Sequence, residues 1–317
     1  MFSKYEYIYA VYTEKSFTRA AKKLFISQPS LSAAVKNIEN KVGAPLFERN
    51  GVHITPTEIG VEYIRTAEKI MRAEKDFENR IHDIYNLETG EITVGGTNYL
   101  CSYVLPKIIN RFTNMYPKIK VTLMEANSGK LSEMMDNEEI DVIIDSYDET
   151  MDIYVGSQLL SERILLCVPS HWKINDKFSD RQIYPENIYN GDINIDDVPP
   201  VPINAFSNEP FIMLKKGNDM YDRATAMFGN WKITPNVIFN VDQLNISYSL
   251  VESGMGAGFI TDTFFKFSEF GRNTVLYNIA QQHSSRILHI VYKKHRYLTS
   301  AMKKFITTAK EVVAETK

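Results

Sequence analysis

The stretch from residue 16 to residue 40 constrains the fold most, because its pattern predicts two short helices joined by a tight turn. Ser16 is suited to cap the first helix, since a serine hydroxyl accepts a hydrogen bond from a free first-turn amide. Ser27 can cap the second helix in the same way, and Pro29 then falls in its first turn, where the missing N–H is not needed. The second helix has an inward stripe of apolar residues at helical spacing, namely Leu31, Ala34, Val35 and Ile38.

The opposite stripe of this second helix carries short, polar or basic side chains, namely Gln28, Ser32, Ala33, Lys36 and Asn40. This composition suits a helix that lies in the major groove of DNA, where glutamine can pair with an adenine edge and serine and lysine can reach phosphates. A solvated face of an ordinary amphipathic helix has the same spacing. The pattern alone therefore leaves both interpretations open.

Residues 2–60 resemble the winged helix-turn-helix domain of the LysR-type transcriptional regulators. The matching positions are Ser16-Phe17-Thr18-Arg19-Ala20-Ala21, Leu24, Ser27-Gln28-Pro29-Ser30-Leu31-Ser32, Ile38-Glu39, Gly43-Ala44-Pro45-Leu46-Phe47-Glu48-Arg49 and Thr55-Pro56-Thr57-Glu58-Ile59-Gly60. Ala33 departs from the family pattern, which usually has arginine there, so base preference is expected to depend more on Gln28 and Ser30. The candidate residues for binding double-stranded DNA are Arg19, Ser27, Gln28, Pro29, Ser30, Ser32, Lys36, Arg49 and His53.

Residues 47–54 predict the wing of this domain, a short hairpin that turns at Asn50-Gly51, a favoured two-residue turn. Arg49 and His53 would then approach the DNA backbone or the minor groove. A surface ion pair with Glu48 or a neighbour is the alternative for Arg49.

A long helix is predicted from residue 56 to residue 87, with Thr55 as N-cap, Pro56 at the first helical position and Glu58 three residues after the cap. Apolar residues recur in it with a period of about 3.5, which favours pairing with a second helix. The predicted dimer seam is Tyr63, Ile70, Phe77, Ile81 and Ile84. The same family carries a dimerising linker helix here, so the resemblance implies a homodimer and, by pairing of dimers, a homotetramer.

From residue 92 onward, strand and helix patterns alternate, which predicts a mostly parallel α/β sheet. The outline resembles the two-lobed, periplasmic-binding-protein-like effector domain of the LysR-type regulators. The expected domains are 1–57 (DNA-binding head), 58–89 (linker helix) and 90–317 (effector domain). Lobe I is expected at about 90–162 and 268–317, and lobe II at about 163–267. The segment 173–207 is longer than the family outline suggests, and no role is assigned to it.

Candidate effector-binding residues follow the first three strands of this domain, because ligands of open α/β sheets lie beyond the carboxyl ends of the strands. They are Thr97, Asn98, Tyr99, Ser128, Ser146 and Tyr147, with Gly256 added from the expected lobe hinge. Thr97 and Ser128 can also serve as N-caps of the helices that follow. Helix N-termini at this place favour a small, anionic effector such as a carboxylate.

The charge distribution agrees with a DNA-binding head. Residues 1–57 carry eight Lys or Arg against four Asp or Glu, although the whole chain has a net charge of -3, so the remainder is acidic. No signal peptide or membrane-spanning run is recognisable in the sequence, and the two cysteines, Cys101 and Cys167, are expected to be free thiols. These features predict a cytoplasmic protein that does not bind membranes.

Catalytic and metal-binding patterns are not found. The six histidines lack metal-ligand spacing, no nucleophile elbow occurs, and the glycines at 254, 256 and 258 precede a strand, the reverse of a dinucleotide loop. We therefore expect no cofactor, no metal and no enzymatic activity. The rival hypothesis is a solute-binding or enzymatic α/β protein with a helical appendage. It is disfavoured by the missing export signal and the missing catalytic constellation.

Overall fold

The computed structural model describes residues 4–50, 53–84, 89–146, 152–267, 273–279, 284–294 and 296–316. The chain forms two compact units, Met1–Ile81 and His82–Lys317. The predicted fold class is confirmed, since a helical head with a two-stranded wing precedes an α/β domain with helices around a mixed sheet.

The described residues up to position 84 form four helices and one hairpin: α1 (Tyr5–Glu14), α2 (Phe17–Lys23), α3 (Gln28–Val42), β1 (Phe47–Asn50), β2 (His53–Pro56) and α4 (Glu58–Ile84). Both predicted serine caps are confirmed. Ser16 Oγ accepts from the amide of Arg19 at 3.3 Å, and Ser27 Oγ accepts from the amide of Ser30 at 3.2 Å. The core is formed by fully buried side chains from α1, α2, α3 and the loop before β1, including Ile8, Val11, Ala20, Leu31, Val35 and Leu46.

Two local predictions in this unit were wrong by one or two residues. The hairpin ladder pairs Asn50 with His53, so Asn50 belongs to β1 and not to the turn, and residues 51 and 52 lie outside the described residues. Pro56 ends β2 instead of opening α4. Thr57 caps α4 in place of Thr55, because its Oγ1 accepts from the amide of Gly60 at 2.9 Å.

The second unit contains one long strand of 16 residues, and its other described strands have nine residues or fewer. Its strands are β3 (Gly90–Gly96), β4 (Ile119–Glu125), β5 (Val142–Ser146), β6 (Tyr154–Pro169), β7 (Pro210–Leu214), β8 (Asn236–Val241), β9 (Ala257–Thr261), β10 (Thr274–Asn278) and β11 (Ser285–Lys293). Its helices are α5 (Leu105–Met115), α6 (Ser128–Asp136), α7 (Pro185–Asn190), α8 (Asp219–Asn230), α9 (Leu244–Glu252), α10 (Asp262–Lys266) and α11 (Ser300–Glu315).

The long strand β6 divides the second unit into two lobes. Its first part, residues 154–163, pairs with β11 and completes the lobe I sheet, whose strand order is β4-β3-β5-β11-β6. Its last part, residues 164–169, pairs with β9 and β10 in lobe II. Within each lobe the central pairs are parallel, as predicted, but β6, β10 and β11 pair only antiparallel, so the sheet is mixed rather than mostly parallel. Of these three strands only β6 runs through both lobes, because β10 pairs with its lobe II part and β11 with its lobe I part.

The assignment of β10 to lobe I was wrong. Thr274–Asn278 pairs with residues 165–169 of β6, which places β10 in lobe II, whereas β11 returns to lobe I as expected. The segment 173–207 covers this strand. Ile183 forms a bridge with Leu276, and the ring of Phe206 lies 5.6 Å from that of Tyr277. The long segment therefore supplies part of the lobe II core.

Candidate DNA interface and effector cleft

The face of α3 that was predicted to meet DNA is open to solvent. Gln28, Pro29 and Ser30 are exposed at its N-terminal end, Lys36 is exposed two turns further on, and Ser32 is half-buried. Leu31, Val35 and Ile38 point into the core, so the helix presents its polar face outward.

Hydrogen bonds order the polar side chains at the start of α3. Gln28 Nε2 donates to Ser32 Oγ at 2.9 Å, and the hydroxyls of Ser27 and Ser30 lie 2.7 Å apart. The Gln28 amide oxygen and the exposed serines can still pair with base edges or phosphates after these contacts. These hydrogen bonds fix Gln28, Ser30 and Ser32 as a small polar surface on the first turn of α3.

Arg19 lies on α2, and its side chain is 65% exposed while its Nε donates to the carbonyl oxygen of Glu14 at 3.1 Å. Glu14 also pairs with Lys23 at 2.8 Å, and the hydrogen bond from Lys23 lowers the pKa of its carboxyl. The Glu14 carbonyl thus orients the Arg19 guanidinium, which stays exposed to solvent. The side chains of Arg49 and His53, the two predicted wing contacts, lie outside the described residues, although their backbones belong to β1 and β2.

Phe25 is a feature that the sequence analysis missed. It lies in the turn between α2 and α3, its φ is 55°, and it is 96% exposed. Its amide donates to the carbonyl of Lys22, and that of Ile26 donates to the carbonyl of Ala21, which is a Schellman ending of α2. Glycine is the usual residue at this left-handed position, so a phenylalanine gives no sequence signal for it.

The predicted dimer seam on α4 is exposed only in part. Phe77 is 65% exposed and Ile81 is 36% exposed, whereas Tyr63 is 5% exposed and Ile70 packs against the core of the first unit. Tyr63 therefore does not belong to an open seam, because it already lies in the core of its own protomer. The side chain of Ile84 lies outside the described residues.

A cleft of about 200 Å³ lies between the two lobes of the second unit. Lobe I lines it with four of the predicted residues, Thr97, Asn98, Tyr99 and Ser128, together with Glu125, Ala126 and Asn127. These positions follow β3 and β4, so the expectation that strand ends would converge at one place agrees with the structure.

The hydroxyls of Thr97 and Ser128 do not cap helices. Asn127 caps α6, since its Oδ1 accepts from the amide of Lys130 at 2.9 Å, and the Ser128 hydroxyl bonds to the buried carboxylate of Asp145. Burial raises the pKa of Asp145, and the hydrogen bond from Ser128 opposes that shift. Ser128 is the first residue of α6, so its amide has no intrahelical acceptor and is open to a ligand.

Two buried polar atoms in the lobe I wall have no partner. Thr97 Oγ1 and Asn98 Oδ1 are closed to solvent, and neither has a hydrogen bond within the part of the chain that the structure describes. An unmade buried hydrogen bond costs roughly 1–3 kcal/mol, so a partner for either atom, from a water or from a bound molecule, would recover that cost.

Two other predicted effector residues, Ser146 and Gly256, are not among the described residues that line the cleft. Ser146 ends β5 outside the cleft lining, and Tyr147 lies outside the described residues. Gly256 lies in lobe II directly before β9, where a Cβ atom would lie 3.0 Å from the carbonyl oxygen of Pro210. A side chain there would crowd the approach of β9 to β7, which gives this glycine a packing role.

The lobe II wall was missed by the sequence analysis. It is formed by the last residue of β7, Leu214, and by the residues that follow β7 and β8, namely Lys215, Lys216, Gly217, Asn218, Asp219, Met220, Asp242, Gln243 and Leu244. The rule that identified Thr97 and Ser128 also applies here, because α8 and α9 begin directly after these two strands.

A buried ionic cluster closes the floor of the cleft. Arg286 Nε donates to Glu162 Oε2 at 2.6 Å, its Nη1 to Asp219 Oδ2 at 2.6 Å and its Nη2 to the Tyr99 hydroxyl at 3.1 Å. Tyr99 in turn donates to Glu162. Burial opposes the charge of Arg286, but Glu162, Tyr99 and Asp219 together outweigh it and raise the pKa of the guanidinium. Burial, followed by the charge of Glu162, raises the pKa of Tyr99.

The thiols show no sign of activation. Burial, followed by the charge of Glu125, raises the pKa of Cys101 to about 12, and burial also raises the pKa of the fully buried Cys167. The described residues contain no group of three or more His, Cys, Asp and Glu side chains placed to hold a metal ion. None of the helices in this part of the chain combines the length and apolar composition that a membrane span requires.

Comparison with protein families gives two matches along the chain. Residues 2–61 match the helix-turn-helix model of the bacterial regulatory proteins of the LysR family, and residues 86–314 match the LysR substrate-binding domain. The uncharacterized HTH-type transcriptional regulator YcgK of Bacillus subtilis strain 168 is 28% identical over 318 residues. That alignment covers 98% of this chain and 94% of the relative.

Solved structures share the fold. Full-length CbnR in complex with its target DNA has a TM-score of 0.68 at 16% identity, and the match covers 97% of this chain and 98% of that one. Full-length BenM has a TM-score of 0.57 at 19% identity, and the match covers 98% and 96% of the two chains. With both domain models matched in order along its length, the chain belongs to the LysR family of transcriptional regulators.

Proposed function

We propose that this LysR-type regulator is a cytoplasmic, non-enzymatic sensor whose binding to double-stranded DNA changes when a small molecule enters the cleft. The unpaired, buried Thr97 Oγ1 and Asn98 Oδ1 are the observation that carries the sensing part, because they lie in a cleft wall and need a partner. A carboxylate-bearing effector fits the helix N-termini that open onto the cleft.

DNA recognition is assigned to the polar face of α3. Gln28 would read a base edge, with Ser27, Pro29, Ser30 and Ser32 beside it, and the exposed Lys36 would contact phosphate. Arg19 from α2 and the wing residues Arg49 and His53 would add backbone contacts, which position the head without reading sequence.

Assembly is assigned to the exposed part of α4. Phe77 and Ile81 would pair with a second copy, giving a homodimer whose two heads read an interrupted inverted repeat. Pairing of two dimers would give the homotetramer that the resemblance implies. Closure of the cleft around an effector would then change the spacing of the heads.

The DNA assignment is tested by Gln28→Ala on the full-length protein. Binding to the footprinted site upstream of its own gene should weaken by about 1–3 kcal/mol, while binding to random duplex should change little. Asn114→Ala is the matched control, because Asn114 Nδ2 makes a similar bond of 2.8 Å to Asn110 one helical turn away, in the effector domain. Equal weakening on both DNAs would show that α3 does not read bases.

A further inference from the structure

The charged side chains that line the effector cleft are mostly paired with each other. Lys215 Nζ lies 2.7 Å from Asp242 Oδ2, and Arg286 Nη1 lies 2.6 Å from Asp219 Oδ2. These four side chains line the cleft but neutralise one another, so they offer a ligand little net charge.

Two charges in the cleft lining remain unpaired. Glu125 ends β4 on lobe I, Lys216 follows β7 on lobe II, and both are exposed. Neither has an ion pair or side-chain hydrogen bond in the described part of the chain. One carboxylate and one ammonium therefore face the same small space from opposite lobes, without meeting each other.

The unpaired neutral atoms add a requirement on the ligand. The side-chain oxygen of Asn98 can only accept a hydrogen bond, so an occupant must bring an N–H or O–H donor to it. On the same wall, Asn127 satisfies the amides of Lys130 and Leu131, which leaves the amide of Ser128 without an intrahelical acceptor. The wall thus calls for both a donor and an acceptor from the ligand.

The size of the cleft limits the ligand to a compact molecule. Its volume is about 200 Å³. Drug-sized ligands usually occupy larger pockets, of about 300–1,000 Å³. A small metabolite with two polar ends fits this space.

We propose that the effector is a zwitterion of the α-amino-acid class, an inference that rests on the proposed sensing function. Its ammonium group would meet Glu125 and the Asn98 oxygen, and its carboxylate would meet Lys216 and the Ser128 amide. A simple carboxylic acid would leave Glu125 unpaired beside it, and a simple amine would leave Lys216 unpaired. Because the two charges lie on different lobes, only a molecule with both charges bridges the cleft.

The test uses matched triplets of ligands on the full-length protein. Each common L-α-amino acid is compared by calorimetry with the carboxylic acid that lacks its amino group and with the amine that lacks its carboxylate. At least one amino acid should bind, and its two single-charge analogues should bind about tenfold more weakly or worse.

Variants of Glu125 and Lys216 test which residue binds each charged group of the ligand. Glu125→Gln should weaken the amino acid about tenfold and leave its carboxylic acid analogue unchanged, whereas Lys216→Gln should weaken the amino acid and leave the amine unchanged. Asp197→Asn and Lys118→Gln remove exposed charges away from the cleft and serve as controls.

Three results would overturn the proposed ligand class: no amino acid binds, an analogue binds as tightly as its amino acid, or both charge variants leave the preference intact. Failure of the proposed sensing function would give a different set of results from failure of the ligand class. If a singly charged or neutral compound binds and Thr97→Val weakens it, the cleft remains the sensor and only the zwitterion is wrong. If Thr97→Val has no effect on any ligand and no ligand changes the DNA footprint, the proposed function itself fails.

Discussion

Arg286 of β11 joins the two lobes of the effector domain, with its Nη1 2.6 Å from Oδ2 of Asp219 at the start of α8. The same guanidinium holds the fully buried Glu162 at 2.6 Å, so one side chain connects the strand that crosses between lobes to the helix that forms the far wall of the cleft. Burial opposes ionisation of Asp219, but Arg286 and Arg223 outweigh it and lower the pKa of the carboxyl.

Arg286→Met should strongly destabilise the effector domain, by about 3–5 kcal/mol, because it leaves the buried Glu162 carboxylate without its cationic partner and with only the Tyr99 hydroxyl donating to it. Urea unfolding followed by tryptophan fluorescence measures this, since both tryptophans, Trp172 and Trp231, lie in that domain. Arg111→Met is the control. Its ion pairs with Glu315 and Glu311 lie on the surface, so their loss should cost less than about 1 kcal/mol. Equal costs would mean that the cluster does not hold the lobes.

Both thiols should resist modification in the folded protein. With a pKa of about 12, on the order of one Cys101 thiol in 10⁵ is ionised at pH 7, and Cys167 is fully buried. A chromogenic disulfide reagent should therefore react slowly with native protein and with two thiols per chain after unfolding in urea. Rapid oxidation by dilute peroxide, accompanied by a changed DNA footprint, would contradict this and indicate a redox sensor.

Local signals predicted much of the fold correctly because the interactions behind them are local. Ser16 and Ser27 cap helices within three residues of their partners, and the apolar stripe of α3 depends only on helical periodicity. Where two local signals competed, the predicted start of α4 was wrong by two residues. Thr55 and Thr57 both precede the long helix, and the pairing of β2 with β1 decided that Pro56 belongs to the strand.

Long-range pairing could not be predicted from local pattern. Arg286 and Glu162 are 124 residues apart, and no spacing rule relates them. The lobe of β10 depends on which part of β6 it pairs with, which the alternating pattern of strands and helices does not specify. The lobe I wall of the cleft was predictable because each residue directly follows an apolar strand. The same reasoning, extended to β7 and β8, would have identified the lobe II wall.

Phe25→Gly should stabilise the DNA-binding head by about 1 kcal/mol. A left-handed backbone costs an L-residue roughly 1–2 kcal/mol, and glycine removes that cost at the end of α2, although part of the gain is lost to the entropy of the unfolded chain. Because Phe25 is 96% exposed, little packing is lost. Thermal unfolding followed by circular dichroism at helical wavelengths measures the shift.

Leu24→Gly provides the contrast to Phe25→Gly. Leu24 precedes the left-handed position, has a φ of -87° and packs against the core of the head, so glycine there should destabilise. Stabilisation by both substitutions, or by neither, would show that backbone strain at Phe25 is not the cause.

Phe77→Asp should dissociate the dimer without unfolding the protomer. Phe77 is 65% exposed within its own chain, so the substitution removes little intramolecular packing, but in a helix-to-helix seam it would bury an unpaired carboxylate. A cost of roughly 3 kcal/mol corresponds to a more than hundredfold rise in the dissociation constant, which sedimentation velocity over a dilution series measures. Tyr184→Asp, which places the same charge on an exposed tyrosine of the segment 173–207, should leave assembly unchanged. DNA footprinting should then show loss of the paired half-sites for Phe77→Asp alone, whereas an unchanged mass with full affinity for the site would remove Phe77 from the interface.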